Sequence, residues 1–458
     1  MKNQYFNKKT KINASADFVF NWHSRQGCLE RLIPPWDNIK VMHREGGINI
    51  GAKAILKIQK WGVPVTWNAK HTEYIQNKLF QDIQLSGPFS KWIHTHKFIP
   101  EAYNSCLLED SIEYSLPFYP IGKILLGNFI KKDLEKTFEY RHRITNLDTA
   151  YHFSKGDLKP MNIMISGASG LIGTTLIPFL TTSGNNVIKL VRKQPSSQNE
   201  ALWNPSAGEL DTKSLPQIDA VIHLAGENIG EGRWTEEKKK IIIDSRVKGT
   251  ELIAKTIANM NPLPKVLVCA SAIGYYGDRG NDLLTENDSS GNNFVSKVCA
   301  EWEKAAILAI EKGIRVVFLR IGIVLSPKGG ALKKLLLPFK LGVGGKISSG
   351  NQYMSWIGID DVIRIIHTAL TNDSLNGPIN VVAPNPVTNY EFTKTLGKVL
   401  RRPTLFPIPA FAIKTIFGQM GEELLLSSTK VAPAKLNEIE HPFIHVHLED
   451  ALRHLLGM

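Results

Sequence analysis

The residues with the clearest chemical potential are Ile165-Ser166-Gly167-Ala168-Ser169-Gly170-Leu171-Ile172-Gly173. The run before Gly167, MNIMIS, has the length and apolarity of a buried strand. The run after it, LIGTTLIPFLTTSG, has helical spacing and stops at Gly184. Between a strand and a helix, Gly167 allows a tight turn. Gly170 removes a side chain where backbone must approach a diphosphate, and Gly173 lets helix and strand pack closely. Ser169, Leu171 and Ile172 complete the turn and the first helical positions, whose free N–H groups suit phosphate oxygens. The spacing is G-x-x-G-x-x-G rather than G-x-G-x-x-G. Plain turns also collect glycines, but seldom in strand–turn–helix context, so a nucleotide-binding turn is predicted. The next strand, NVIKLVRK, ends on Arg192-Lys193. An acidic residue there would grip a ribose 2′-hydroxyl, whereas Arg beside Lys suits a 2′-phosphate. NADP(H) is therefore expected over NAD(H), with an ordinary basic loop as the alternative.

A second group lies upstream. His94 and His96 alternate with Trp92, so all three side chains share one strand face. Asp82 and Asp110 fall in neighbouring strand-like runs. A metal or acid/base cluster is one reading; polar positions of a cavity wall is the commoner one, and no metal site is expected. Cys28, Cys106, Cys269 and Cys299 are scattered without a C-x-x-C pair, so neither a cysteine zinc site nor a disulfide framework is indicated.

These residues need elements to hold them. At 458 residues the chain is long enough for about three domains, and it divides at the polar stretch HFSKGDLKP, residues 152–160. Before the divide, AILKIQKWGVPVTWNAKHTEYI, LFQDIQLSG, KWIHTHKFIP and SCLLEDSIEYSL alternate apolar and polar residues like antiparallel strands. Ile124, Leu125, Phe129, Ile130, Leu134 and Phe138 then recur at helical spacing within Ile121–Thr145. One curved sheet and one long helix predict an α+β domain, residues 1–155, with a cavity between them. After the divide, near-continuous apolar runs (IDAVIHLAG, KVLVCASA, RVVFLRIGIVL) alternate with helical segments. That pattern predicts a doubly wound parallel sheet over residues 160–384. A mostly helical, Pro-punctuated region, 385–458, closes the chain. The net charge of +13 is spread along the chain; it favours anionic ligands, while a solvated basic surface explains it most simply. No nucleic-acid module is evident. No apolar run reaches the roughly 18 residues of a membrane span, and the N-terminus lacks an apolar signal core, so a cytoplasmic location is expected.

Taken together, ISGASGLIG, HLAGENI, SRVKGT at Ser245–Thr250, SAIGYYGD at Ser271–Asp278, FVSKVCAEWEKAA, LRIGIVLSPKGG, SGNQYMSWIGIDD and the tail NVVAPNPVTNYEF…RRPTLFPIP resemble one family closely. It is the extended short-chain dehydrogenase/reductase superfamily, in its atypical "epimerase family" branch of NAD(P)-binding oxidoreductases. The N-terminal part is similar to START-like, polyketide cyclase/dehydrase type domains through Pro34-Pro35-Trp36, Phe80-Gln81-Asp82, Gly87-Pro88-Phe89, Trp92, His94, His96 and Tyr114-Ser115-Leu116-Pro117. That second resemblance implies a helix-grip fold that encloses a hydrophobic ligand. The first implies cofactor contacts from Leu224-Ala225-Gly226 and from Arg246, and a close backbone approach at Gly322.

The superfamily resemblance also implies a Tyr acting as acid/base, a Lys four residues later that lowers its pKa and holds the ribose, and a Ser or Thr that orients the substrate. Lys297 fits the Lys position, but Asn293 stands where the Tyr belongs, and an amide cannot do acid/base work near neutral pH. Ser271 is present, with Ala272 where the substrate-orienting hydroxyl commonly sits. Two readings stay open. In one, Tyr275 or Tyr276 supplies the acid/base group, assisted by Ser271 and Lys297, in an NADP(H)-dependent reductase or epimerase-like enzyme acting on a small organic substrate. In the other, the domain binds NADP(H) without turnover, as a sensor or scaffold. Gly358 replaces the branch's usual His, and Asp360 and Asp361 are expected to cap the helix that follows.

Overall fold

Alternating side chains in the first part of the chain become a seven-stranded antiparallel sheet, in the order β1-β7-β6-β5-β4-β3-β2. Its strands are β1 (Gln4–Ile12), β2 (Asn38–Glu45), β3 (Lys53–Lys60), β4 (Val63–Ile75), β5 (Leu79–Ser86), β6 (Lys91–Ala102) and β7 (Ser105–Ser115). Two short helices, α1 (Ala16–Ser24) and α2 (Cys28–Arg31), follow β1, and the long α3 (Ile121–Ser154) follows β7. The computed structural model describes residues 3–60, 63–116, 121–156 and 158–458, with backbone alone for 60, 63 and 121–126. Pro117 of the sequence motif, and the side chains of Ile124 and Leu125, lie outside the described residues. Helix α3 runs beyond the expected Thr145. It buries Ile130, Leu134, Phe138 and Ile144 but leaves Phe129 half exposed. Among the described residues, the two larger apolar clusters of this part lie around Phe20, Phe80 and Phe98 and around Trp92, Ile112, Leu134 and Phe138.

The chain divides into two compact units, one built mainly from Met1–Pro160 and the other mainly from Met161 onward. The second begins with β8 (Asn162–Ser166), α4 (Leu171–Thr182), β9 (Asn186–Val191), β10 (Glu200–Asn204), β11 (Glu209–Leu210), β12 (Ala220–His223), α5 (Glu236–Ile257) and β13 (Val266–Ala272). It continues through β14 (Leu283–Leu284), α6 (Phe294–Lys304), α7 (Ile307–Glu311), β15 (Arg315–Ile321), β16 (Ile323–Leu325), α8 (Gly330–Lys340), β17 (Tyr353–Met354), β18 (Trp356–Gly358), α9 (Ile359–Thr371) and β19 (Gly377–Val381). The main sheet has the order β11-β10-β9-β8-β12-β13-β15-β19, and all its pairings are parallel except that of β10 with β11. This is the Rossmann-type doubly wound arrangement. Strand order reverses between β8 and β12, and the crevice at their carboxyl ends is where such sheets bind ligands. β15 and β16 flank Gly322, where an added Cβ would stand 2.5 Å from the Ser355 carbonyl oxygen.

The tail adds β20 (Val387–Thr388), α10 (Asn389–Leu400), α11 (Ala410–Phe417), α12 (Gln419–Gly421), β21 (Lys430–Val431), α13 (Ala434–Glu438) and α14 (Leu448–Leu456). A capping box between Thr388 and Glu391 opens α10. Phe392, Leu396, Leu452 and Leu455 share one apolar cluster with Leu332 and Leu336 of α8, so the tail packs within the second unit. The expected capping by Asp360 and Asp361 is corrected: Gly358 is the N-cap of α9, without a side-chain cap. Both carboxylates are buried instead. Asp361 accepts from the Ile444 and His445 N–H groups, and Asp360 faces His454 at 3.3 Å.

Candidate functional site

Gly167 leaves β8 at φ +74°, and a Cβ on it would stand 2.7 Å from the Leu224 carbonyl carbon and 2.9 Å from the Ala225 nitrogen. Only a residue without a side chain fits that approach and that left-handed backbone. At Gly173, in the first turn of α4, a Cβ would stand 2.3 Å from the Gly167 oxygen. At Gly170 it would meet only that oxygen, at 3.2 Å. The Gly170 N–H donates to the Gly167 oxygen (3.0 Å), which closes the turn. Ser169 and Gly170 are exposed, so the rim of the turn faces solvent. Leu171 and Ile172 pack their side chains onto the α8–α10–α14 cluster, leaving their backbone N–H groups as what they offer a ligand.

The other side of the turn is fixed by His223. Its Nδ1 lies 2.6 Å from Ser166 Oγ, which in turn accepts from the Ala225 N–H at 3.3 Å. Burial, and then the charge of Arg246, push the His223 pKa down to about 3, so it stays a neutral clamp between strand ends. Arg246 of α5 is buried at 8% exposure, with its guanidinium against Gly226 and over the Trp302 ring, 4.9 Å from the centroid. Its Nη1 donates to the Ile242 oxygen at 3.1 Å, and burial lowers its pKa. Among the described residues it has no carboxylate partner. Arg192, exposed just past β9, also has none. The set comprises a cradle that any Cβ would fill, a helix N-terminus at its rim, a buried cation and an exposed one. It fits a diphosphate nucleotide.

The four residues expected to do chemistry are separated by their surroundings. Tyr276 is fully buried. Its hydroxyl donates to Asn380 Oδ1 (2.7 Å) and accepts from Arg320 Nη1 (3.0 Å). Burial pushes its pKa up to about 12, despite the Arg320 charge. Ser271 is likewise buried and donates to Glu303 Oε1 at 2.8 Å. Glu303 also takes a bidentate pair from Arg320, both bonds 2.9 Å. Tyr275 differs. The Arg320 guanidinium lies 3.5 Å from its ring centroid, and among the described residues its hydroxyl has no hydrogen-bond partner. Lys297 is exposed on α6, without an ion pair among the described residues. Asn293 is the N-cap of that helix, accepting from the Ser296 N–H at 2.8 Å. Ser271 and Tyr276 are thus hydrogen-bonded internally, to Glu303 and to Asn380 and Arg320.

Comparison with known proteins gives these parts a common setting. Residues 163–382 match the model of the NAD dependent epimerase/dehydratase family, residues 12–139 that of polyketide cyclase/dehydrase and lipid transport, and residues 408–455 a domain of unknown function, DUF1731. The epimerase family protein Mb2239 of Mycobacterium bovis is 39% identical over 290 residues, which are 63% of this chain and 96% of that protein. The chain belongs to the epimerase family. Another member, human SDR39U1, is 36% identical over 300 residues, covering 65% of this chain and 100% of its own. A crystal structure of its isoform 2 with NADPH has 34% identity and a TM-score of 0.60, over 65% of this chain and 99% of that one. A Corynebacterium glutamicum protein described as a nucleoside-diphosphate sugar epimerase has 30% identity and a TM-score of 0.82, over 99% of this chain and 90% of that one. The match to the C. glutamicum chain includes the N-terminal unit as well.

In that N-terminal unit of the epimerase-family chain, the residues singled out on β5, β6 and β7 do meet. Asp82 pairs in register with His94, and His96 with Asp110. His94 Nε2 lies 3.0 Å and His96 Nδ1 2.6 Å from Asp110 Oδ1, while His142 of α3 reaches Asp110 Oδ2 at 2.6 Å. The side chains form a polar layer between the two apolar clusters. His96 stacks on Phe80 (4.1 Å) and His94 stands edge-on to Phe138 (5.3 Å). Against the desolvation of burial, the two aspartates hold His94 at about 9, and the imidazoles hold Asp110 well below the usual carboxylate range.

Sequence reading passed over Glu303, Arg320, Asn380 and Glu423. Arg320 carried a usable signal: a charge inside the apolar run RVVFLRIGIVL must be buried and therefore paired. Glu423, whose carboxylate accepts from the Phe294 and Val295 N–H groups at the start of α6, lies too far along the chain to be connected by spacing.

Proposed function

We propose that the second unit is an NADP(H)-dependent oxidoreductase or epimerase-like enzyme acting on a small organic substrate. Gly167, Ser169, Gly170, Leu171, Ile172 and Gly173 would hold the diphosphate through backbone, Leu224-Ala225-Gly226 would line the opposite wall, and Arg192 would face the 2′-phosphate. The observation that carries the reading is Arg246, a buried guanidinium beside Gly226 with only the Ile242 carbonyl as a hydrogen-bond partner among the described residues. A desolvated cation next to a phosphate cradle calls for an anionic partner. The bound cofactor would supply or accept hydride. Tyr275 is the residue best suited to move a proton. Its phenol is free of protein partners among the described residues, and its ring is held by Arg320, itself fixed by Glu303. Lys297 would assist from the solvent side. Because the C. glutamicum relative is described as a nucleoside-diphosphate sugar epimerase, such sugars head the substrate panel.

Calorimetric titration with NADPH and NADH tests the cofactor half. NADPH should bind more tightly, and Arg192→Asp should erase most of the difference, roughly ten- to a hundredfold for a charged hydrogen bond. Equal affinities in the wild type would refute the 2′-phosphate assignment. Tyr275→Phe tests the chemical half: substrate-dependent NADPH oxidation should fall about a hundredfold or more with the melting temperature unchanged. A second reading is favoured by Asn293 and by the buried Tyr276: a sensor or scaffold that binds NADP(H) without turnover. Tight NADPH binding with no hydride transfer to any member of the panel would support it over the first. For the N-terminal unit we infer a hydrophobic ligand, supported by its match to the polyketide cyclase/dehydrase and lipid transport family.

A further inference from the structure

The polar layer of the N-terminal unit has a geometry that internal hydrogen bonding leaves half explained. Each imidazole of β6 spans two carboxylates. His94 Nε2 is hydrogen-bonded to Asp110 Oδ1 at 3.0 Å, whereas His96 Nδ1, 2.6 Å from the same oxygen, lacks hydrogen-bond geometry and has no hydrogen-bond partner among the described residues. The other nitrogens, His94 Nδ1 and His96 Nε2, stand 3.5 and 3.8 Å from Asp82 Oδ1. Those distances are long for hydrogen bonds. They are close to the spacing of two donors around one metal ion. With metal–ligand distances of about 2.0–2.1 Å and tetrahedral angles, donor atoms stand about 3.3–3.5 Å apart. The ligand atoms of Asp82, His94 and His96 all lie within 4.8 Å of one another.

We propose that Asp82, His94 and His96 bind a divalent transition-metal ion of the zinc class, with Asp110 orienting the His94 imidazole. Two imidazoles and one carboxylate are a donor set for such ions, and three protein ligands leave a position open for water or a ligand oxygen. The supporting shell is present. Metal-bound histidines ordinarily direct their second nitrogen to a carboxylate, a carbonyl or water; Asp110 takes that of His94 and is itself anchored from α3 by His142, while His96 Nδ1 lies beside the same oxygen without hydrogen-bond geometry. The side chains are supplied by strand geometry: His94 and His96 are two residues apart on one face of β6, and register places Asp82 and Asp110 beside them on β5 and β7. Access is from the Asp82 side, where the carboxylate side chain keeps 16% exposure against 5% for His94. Two largely buried carboxylates also demand positive charge between them. Protons on the imidazoles are the competing way to supply it, and the experiment separates the two.

Full-length protein stripped with chelator is titrated with Zn²⁺ by calorimetry, and with Co²⁺ by visible absorption. One Zn²⁺ should bind per chain, and Co²⁺ should give the intense bands of a four-coordinate nitrogen and oxygen site. Asp82→Asn combined with His96→Gln should abolish both signals. Asp110→Asn should retain the site but weaken it about ten- to a hundredfold, the usual effect of losing an orienting group. The wild-type stoichiometry and Co²⁺ spectrum need no variant to fold. Failure of wild-type protein to take up one equivalent, or uptake that survives the double substitution, would overturn the assignment and leave a proton-held histidine network.

Discussion

The glycine turn makes two neighbouring substitutions with opposite consequences. In Gly173→Ala the new methyl would stand 2.3 Å from the Gly167 oxygen and 2.9 Å from the Ala168 Cα and oxygen. All three contacts are backbone, so nothing can swing aside; the first turn of α4 must move by about 1 Å from β8. Overpacking of that kind costs about 1–3 kcal/mol. For a domain of this size that is a fall of roughly 3–10 °C in melting temperature. In Gly170→Ala the methyl meets only the Gly167 oxygen, at 3.2 Å, on an exposed residue whose φ is not left-handed. A shift of a few tenths of an ångström relieves it, so stability should stay within about 0.5 kcal/mol. That methyl would stand where the backbone must approach a diphosphate. NADPH affinity should fall at least about tenfold, the equivalent of 1.4 kcal/mol. Differential scanning fluorimetry and calorimetry on the two purified variants read both quantities. Wild-type NADPH affinity in Gly170→Ala would refute the reasoning, because the phosphates could not then lie over this turn.

Further tests concern the groups behind the site. His223 has its pKa pushed down to about 3, against an ordinary value near 6.5. The unfolded chain takes up a proton first as pH falls, so the stabilisation is complete above about 6.5 and is lost downward toward 3. From pH 7 to pH 5 this amounts to about 2 kcal/mol, and His223→Gln should flatten the urea-unfolding stability profile by that amount; an unchanged profile would show that His223 is not the group responsible. Glu303→Ala strands the Arg320 guanidinium, whose side chain is 4% exposed, and should cost about 3–5 kcal/mol in denaturant unfolding. A loss below 1 kcal/mol would mean the pair is not desolvated. Tyr276→Phe removes the hydroxyl shared by Asn380 and Arg320 and should cost about 1–3 kcal/mol while turnover persists. Lost turnover with unchanged stability would reverse the roles argued for Tyr275 and Tyr276.

The parallel sheet was legible because its strands are buried on both faces and read as apolar runs, with the glycine turn marking where the first one ends. β10, β11 and β19 escaped because they are short, and two N-terminal strands because the surface interrupts their pattern. β1, QYFNKKTKI, is an edge strand with Lys9 and Lys11 exposed on one face and Lys8 on the other, paired with Glu139 of α3; charges that keep an edge from pairing also hide it. β2, NIKVMHRE, is the opposite edge and carries a register irregularity at Val41/His43. The glycine turn between β8 and α4 was legible residue by residue, because a left-handed backbone and close backbone approach are written in glycines. The groups behind the candidate catalytic loop were not, because Glu303, Arg320 and Asn380 come from α6, β15 and β19 and meet only through packing. The histidine and aspartate layer falls between these cases. Alternation on one strand placed His94 and His96 on a common face, but only the register of β5, β6 and β7 brought the aspartates to them.

The absence of a tyrosine at position 293 has a local physical reason, and it bears on which residue could replace it. Asn293 is extended (φ −78°, ψ 178°), and its side chain accepts from the Ser296 N–H, so the position serves as a helix cap. Tyrosine has no short acceptor for that bond, whereas asparagine is among the best. Glu423 meets the next two free N–H groups of α6, so this helix start is satisfied entirely within the protein. Ser296 then donates to the Gly274 oxygen and the Gly291 N–H to the Tyr275 oxygen, tying the capped helix to the loop of Tyr275 and Tyr276. The loop is thus held in a fixed position by the same residues that displaced the usual tyrosine. Of its two phenols, one is locked inward by Asn380 and Arg320, and the other keeps its hydroxyl clear of protein partners among the described residues. In the proposed enzyme, proton transfer is therefore assigned to Tyr275.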